Sequence, residues 1–305
     1  MQARQAVAGL PAAARALHGL AEDGLTEAWV TAPQAWTPGD WLAEEAARLA
    51  PGTTIRFVAR AEAPDTLPVI DGTSLVPSAR QVIKATAKPG DGIVSRHINR
   101  PISQACTSVL LQLFPRTRPV HATCGTAFLA LAMIAVLLTG TPGGLIGGAL
   151  LFQAASIFDG VDGEIARATY RASPQGAALD SWVDALTNLA CVAGVAWNLH
   201  CQGQDRAALA GTIGLIAMAI GLWLIGRRSA RQAEGMTFNA VKDRVNRKPT
   251  RIGQWLTWLT MRDFYALAGA VLIAAGFAAF ALFAFAVVAL GWLVVVVAVL
   301  RPQPG

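Results

Sequence analysis

From about His121 onward the chain is a succession of apolar runs, each close to the ~20 residues that carry a helix across a bilayer. They fall at about 121–140, 143–166, 176–199, 207–226, 262–280 and 282–300. The last two are nearly continuous, and roughly 40 apolar residues in one helix would overshoot a membrane about twofold. A tight turn around Phe280-Ala281-Leu282 is therefore expected. Residues 1–88 follow another pattern, with mixed charges, several prolines and no membrane-length run. Ala12–Leu20 and Pro38–Leu49 read as helices, the second opened by Thr37-Pro38 at N-cap and N1. Thr26–Thr31 and Thr53–Ala59 read as short strands. Between the two parts, Gly90–Phe114 has basic residues first and apolar ones last, which fits a helix lying in the membrane interface. Ile252–Met261, with Trp255 and Trp258, reads as a second interfacial stretch. The pattern predicts an all-α integral membrane protein over 89–305, with six transmembrane helices and interfacial helices. A small N-terminal cytosolic α/β domain over 1–88 precedes it.

Composition agrees: the chain is 54% hydrophobic and 14% charged, against about a quarter charged in soluble domains. Charge placement orients the helices. Arg116, Arg118, Arg167, Arg171, Arg227, Arg228, Arg231 and Arg301 fall on one side of a six-helix arrangement, with Lys242, Arg244, Arg247, Lys248 and Arg251. The opposite loops hold almost no charge, so the positive-inside rule puts both termini at the cytosol, for a multi-pass protein of the inner membrane. The net charge of +6 is then a membrane-surface feature. Nucleic-acid binding is not expected, because the basic residues are juxtamembrane and no recognition motif accompanies them.

Against this apolar background, DGVDGEIARATYRASPQGAALDSWVD carries Asp159, Asp162, Asp180 and Asp184 at the ends of membrane-length segments. Four uncompensated aspartates at bilayer depth would cost about 10 kcal/mol, comparable to the stability of a whole domain. Asp159 and Asp162 are spaced i,i+3 and Asp180 and Asp184 i,i+4, so each pair shares a helix face. Two such helices face to face would present four carboxylates to one small volume. Hard, oxygen-liking ions such as Mg2+ suit that cluster, especially with substrate phosphates completing the coordination. Paired ions about 3.5–4 Å apart are a recurring device for phosphoryl displacement. Gly163 and Gly176 leave room for backbone to approach a bound group. Helix caps, or salt bridges to Arg167 and Arg171, would be the plainer explanation, but caps do not require eight residues in fixed register.

Those eight positions, Asp159, Asp162, Gly163, Ala166, Arg167, Gly176, Asp180 and Asp184, resemble the signature of the CDP-alcohol phosphotransferase (CDP-alcohol phosphatidyltransferase) family. The resemblance implies a two-metal enzyme that displaces CMP from a CDP-linked donor with an acceptor hydroxyl. It implies that two Mg2+ or Mn2+ ions are held by Asp159, Asp162 and Asp180 with Asp184, the last also acting as general base. It implies that Asp159, Gly163, Ala166, Arg167 and Gly176 line the nucleotide pocket, and that the protein is a homodimer. SRHINRPIS at 95–103 and KATAKPGDG before it further resemble the lead-in to the membrane domain of di-myo-inositol-phosphate-phosphate synthases, a branch that lies near the phosphatidylinositol-phosphate synthases. In those proteins a cytidylyltransferase domain often precedes. Residues 1–88 lack its glycine-rich loop and read as a degenerate nucleotidyltransferase remnant, dispensable for the chemistry. One departure stands out. Relatives open the first transmembrane helix with Thr-Pro-Asn-x-x-Thr, and Val120 occupies the Asn place here.

Partners implied are a CDP-alcohol donor, either CDP-diacylglycerol or a soluble CDP-inositol type, an alcohol or phosphorylated polyol acceptor, and membrane lipids. The products would belong to phospholipid or inositol-phosphodiester biosynthesis. A phosphorylated acceptor needs cations, and Arg116, Arg118, Arg227, Arg228, Arg244 and Arg247 are the candidates. A catalytically inactive membrane scaffold, recruiting a partner through its N-terminal domain, is the alternative; the intact motif argues against it. Cys106, Cys124, Cys191 and Cys201 have no ligand spacing and read as reduced packing residues. His97 and His121 read as satisfied interfacial side chains, and Gly144, Gly147 and Gly148 as close-packing positions.

Overall fold

The computed structural model describes residues 2–32, 34, 36–63, 69–71, 78–229 and 261–300. It divides into two compact units, one of 1–89, 102–121 and 161–174, the other of 90–101, 122–160 and 175–305.

The first unit opens with a two-stranded antiparallel ribbon, β1 (Ala6–Val7) and β2 (Leu10–Pro11), followed by α1 (Ala12–Glu22), β3 (Glu27–Ala32), α2 (Asp40–Leu49), β4 (Thr54–Ala59), β5 (Val69–Asp71) and α3 (Ala79–Lys84). β3 is the centre of a parallel sheet of order β4-β3-β5, paired from Glu27↔Thr54 to Ala32↔Ala59 and from Trp29↔Val69 to Thr31↔Asp71. Leu10, Ala14, Leu17, Val30, Leu42 and Leu49 form its core. α2 begins two residues later than the Thr37-Pro38 pattern predicts. Gly39 has φ 74°, which a helix cannot include, so Asp40 is the first helical residue. α3 starts on a capping box in which Ser78 Oγ accepts from the Gln81 N–H and Gln81 Oε1 from the Ser78 N–H.

The same unit takes part of α4 (Arg100–Leu113) and the last turns of α6 (Pro142–Ala168). Ser103 and Thr107, one turn apart on α4, donate to Glu164 Oε1 and Oε2, each at 2.6 Å, and Glu164 is fully buried. Such charge-assisted bonds offset the cost of burying a carboxylate. α6 ends in a Schellman arrangement: the Arg171 N–H reaches Ala166 O at 2.8 Å and the Tyr170 N–H reaches Arg167 O at 3.4 Å. That geometry needs a left-handed residue at Tyr170, whose φ is 53°. Glycine takes it without cost, whereas a side chain there costs roughly 1–2 kcal/mol.

The second unit holds most of α5 (Pro119–Leu137) and α6, with α7 (Pro174–Cys201), α8 (Asp205–Ser229), α9 (Arg262–Ala274) and α10 (Ala278–Leu300). Met133, Leu137, Leu145, Phe152, Val195, Leu199 and Leu282 anchor its core. Glycines make the close approaches. A Cβ at Gly211 or Gly214 of α8 would lie 2.7 Å from Leu282 or Phe285 of α10, and one at Gly147 of α6 3.0 Å from Val136. Gly144 and Gly148 likewise face Thr139 and Leu137 with no room for a Cβ. The four cysteines are free.

Among the described residues four helices are long and apolar enough to cross a membrane: Pro119–Leu137, Pro142–Ala168, Asp205–Arg227 and Ala278–Ala298. The protein is a multi-pass membrane protein. Of the other two runs in the sequence, α7 has 28 residues but carries Asp180, Asp184, Asn188 and Asn198, and α9 has 13. Thirteen residues reach only about 20 Å, short of a ~30 Å hydrocarbon core. The turn between α9 and α10 falls at Gly276, φ 84°, and not at Phe280–Leu282. Glycine decides the position, because the left-handed conformation that ends α9 excludes its apolar neighbours.

Candidate active site

α6 carries Asp159 and Asp162, and α7 carries Asp180 and Asp184, on the two helices that the hairpin around Arg171–Ser173 joins. In the second unit, carboxylate oxygens of Asp159, Asp180 and Asp184 lie within 4.8 Å of one another, and all three are half-buried. Asp162, expected as the fourth member, is not in that group: it stands one helical turn beyond Asp159 on α6 and is buried, 8% exposed. Three carboxylates at this spacing repel unless a cation intervenes, and an all-oxygen donor set of this kind fits a hard divalent ion.

A cation of the chain itself already answers part of that demand. Arg262 opens α9, and its Nη1 pairs with Asp159 Oδ1 at 3.2 Å and with Asp184 Oδ1. Its guanidinium lies 5.8 Å from the centre of the Phe152 ring. The start of α9 is fixed by a polar cluster around the next residue. Asn99 Nδ2 donates to Asp263 Oδ1 at 2.9 Å, Ser156 Oγ donates to the same oxygen at 3.3 Å, and Gln153 Nε2 donates to Asn99 Oδ1 at 3.1 Å. Asn99 and Ser156 are buried, so these bonds also satisfy groups that would otherwise be stranded. In the sequence Arg262 is the first residue of the run at 262–280, and nothing around it names a partner. Its signal was a lone arginine at the mouth of an apolar run, which predicts an inner-face position but not its partners.

The positions expected to line a nucleotide divide between the helices: Gly163, Ala166 and Arg167 on α6, Gly176 in the first turn of α7. Arg167 Nε donates to Thr86 O at 2.7 Å. Its guanidinium lies back over Gly163, where a Cβ would sit 3.1 Å from Nη1. The glycine is therefore a groove for the arginine as well as a small residue in a motif. Arg167 also borders a cavity of about 700 Å3 within the first unit, with Arg15, Thr86, Gln81 and Tyr170.

Of the six arginines named for an acceptor, Arg116 and Arg118 are exposed in the stretch joining α4 to α5, Arg116 lying 5.7 Å from the Trp41 ring. Arg227 is exposed near the end of α8, 5.2 Å from the Trp223 ring, and Arg228 follows it in the last turn. Arg244 and Arg247, like Trp255 and Trp258, lie outside the described residues. His121 Nδ1 accepts from the Arg118 N–H at 3.2 Å, a capping role at the start of α5.

A helix-borne carboxylate cluster in a multi-pass membrane protein is a candidate site for a hard divalent cation. Residues 116–300 match the family model described as CDP-alcohol phosphatidyltransferase, which is more than half of the chain, and the chain belongs to that family. Three curated relatives carry the name bifunctional IPC transferase and DIPP synthase. The protein of Thermococcus kodakarensis is 37% identical over 117 residues, covering 38% of this chain and 26% of the relative. That of Aquifex aeolicus is 34% identical over 132 residues, 43% and 29% of the two chains. That of Rubrobacter xylanophilus is 34% identical over 160 residues, 50% and 35%. The matched stretch thus spans about a quarter to a third of the relatives' length.

Proposed function

We propose that this protein transfers a substituted phosphoryl group from a CDP-alcohol to the hydroxyl of an acceptor alcohol, releasing CMP. The observation that carries the reading is the approach of Asp159, Asp180 and Asp184 within 4.8 Å inside a family whose motif they complete. Asp159, Asp162 and Asp180, with Asp184, would hold two Mg2+ or Mn2+ ions. Bound there, the ions would neutralise charge on the pyrophosphate and on the leaving CMP.

Asp184 accepts the acceptor's hydroxyl proton. The acceptor oxygen forms its bond to the β-phosphorus as the bond from that phosphorus to the CMP oxygen breaks. Arg167 holds the nucleotide, with Gly163, Ala166 and Gly176 leaving space for it. Arg116, Arg118, Arg227, Arg228, Arg244 and Arg247 are the cations available to a phosphorylated acceptor. Positioning and electrostatics supply most of the acceleration in such transfers.

The relatives' name, with its DIPP synthase half, supports an inositol-phosphodiester product over a phospholipid. The proposal extends to six membrane spans, the four apolar helices being joined by α7 and by the run at 262–280, of which α9 forms 13 residues, to cytosolic termini in the inner membrane, and to a homodimer. Release of CMP from a panel of CDP-alcohols and polyol acceptors, with and without EDTA, tests the reading. Metal-dependent CMP release with CDP-inositol and an inositol phosphate is expected. No CMP release from any donor would leave the inactive scaffold as the better account.

A further inference from the structure

The end of α6 is gripped by residues from the beginning of the chain. Arg48 donates through Nη2 to Thr169 O at 2.9 Å and through Nη1 to Tyr170 O at 3.0 Å. Arg15 donates through Nη2 to Ala168 O at 2.7 Å. These three carbonyls sit at the negative pole of the α6 dipole, where guanidinium groups bind favourably. Glu45, 5% exposed, holds the arrangement from behind: it accepts from Arg48 Nε at 2.8 Å and pairs with Arg171. Tyr170, whose left-handed backbone the cap requires, is fixed by its ring. The His18 ring lies 3.9 Å from it, centre to centre, and the Arg15 guanidinium 5.5 Å from its centre. Gly9 comes so close to Thr169 that a Cβ would stand 2.9 Å from Cγ2. The last turn of α6 is thus determined many times over, and Arg167 lies inside that turn with its Nε on Thr86 O.

Non-glycine residues in the left-handed region persist where the surroundings hold them, and they concentrate at functional sites. A cap serving only helix stability would be met by glycine at position 170 and would need no buried ion pairs. We infer that residues 1–89 act as a positioning clamp: by locking the α6 cap and offering Thr86 O to Arg167, they set the arginine that receives the donor's nucleotide. The inference rests on the reading of Arg167 as a nucleotide contact. It gives the N-terminal residues a part in donor affinity and none in the bond-making step.

CMP with Mg2+, titrated calorimetrically into the purified full-length protein in nanodiscs, is the probe. Arg167→Ala should raise the CMP Kd about tenfold or more, the scale of one charge-assisted hydrogen bond. Arg48→Gln and Glu45→Gln should each raise it several-fold, with donor KM following and kcat at saturating donor and acceptor KM unchanged. Adding Tyr170→Gly to Arg48→Gln should restore CMP affinity to near the native value, because glycine adopts the cap conformation without the clamp. Native affinity in both Arg48→Gln and Glu45→Gln, beside a weakened Arg167→Ala, overturns the clamp and leaves the nucleotide assignment standing. Native affinity in Arg167→Ala overturns both. Where Arg48→Gln fails to fold, Glu45→Gln, which keeps side-chain volume, decides alone, and Tyr170→Gly added to it is the rescue.

Discussion

Asp159, Asp180 and Asp184 meet on two consecutive helices, within 25 residues of sequence, while the end of α6 is held by Arg48 and Arg15 from 121 to 153 residues away. The two regions solve opposite electrostatic problems. In the triad, negative side chains are gathered and cations must come to them; at the cap, carbonyl dipoles at a helix end are answered by guanidinium groups. The triad is half-buried, whereas Glu45 and Arg15 at the cap are almost wholly buried. Burial pulls the Arg15 guanidinium below its ordinary pKa, with Tyr170 acting in the opposite direction. The comparison teaches that a half-buried carboxylate cluster keeps access for a ligand, whereas the buried contacts at the cap give up solvent for rigidity.

The largest effect should come from the triad. Asp184→Asn is expected to lower turnover at least about a hundredfold, the usual scale for a general base, while CMP binding stays near native. Substantial residual turnover in the purified variant would remove Asp184 from proton transfer and make the triad purely a cation site.

Arg262→Gln comes next, because it withdraws the chain's own cation from Asp159 and Asp184. Unfolding measured in the presence of EDTA should show a loss of about 1–3 kcal/mol, the cost of leaving partly buried charges unpaired. Mg2+ should stabilise this variant more than the native protein, since binding to the folded state shifts apparent stability by mass action. Equal Mg2+ stabilisation of both proteins would mean that Arg262 and the ion do not share carboxylates.

The acceptor arginines allow the two regions to be separated. Arg116→Gln, Arg118→Gln and Arg227→Gln, measured singly, should raise acceptor KM by about tenfold where the side chain binds acceptor phosphate, with donor KM unchanged. Arg116 and Arg118 belong to the unit of the clamp and Arg227 to the unit of the triad, so the pattern tells which supplies the acceptor site. An acceptor KM untouched by all three would point to an uncharged acceptor.

The smallest effect is expected from Gly163→Ala. The new Cβ would stand 3.1 Å from Arg167 Nη1, tighter than ordinary contact, and must displace the guanidinium by a few tenths of an ångström. A several-fold rise in donor KM, with stability unchanged or slightly raised by the better helix propensity of alanine, is the expected outcome. An unchanged donor KM would show that the pose of Arg167 over Gly163 is not the one that binds nucleotide.

Much of this was legible along the chain. Aspartates at i,i+3 and i,i+4 share a helix face, since helical periodicity is local and the cost of burying carboxylates is steep; three of the four meet, and Asp162 is not in their group. Of the N-terminal elements, α1, β3, α2 and β4 fell within two residues of their predicted positions, because alternating and amphipathic patterns are also local, whereas the shorter β1, β2, β5 and α3 were not predicted. Local pattern could not say where α9 ends, since the apolar run continues through Gly276 and only a backbone conformation marks the break. Nor could it match Arg262 with Asp159 and Asp184, or Arg48 with the carbonyls of Thr169 and Tyr170. Backbone carbonyls have no signature in a sequence, and an arginine looks the same whether it meets lipid, solvent or a helix end. Spacing within a helix thus determined which aspartates share a helix face, while the meeting of three of them and the choice of cation for each negative group were decided by tertiary packing, because these depend on which segments are brought together.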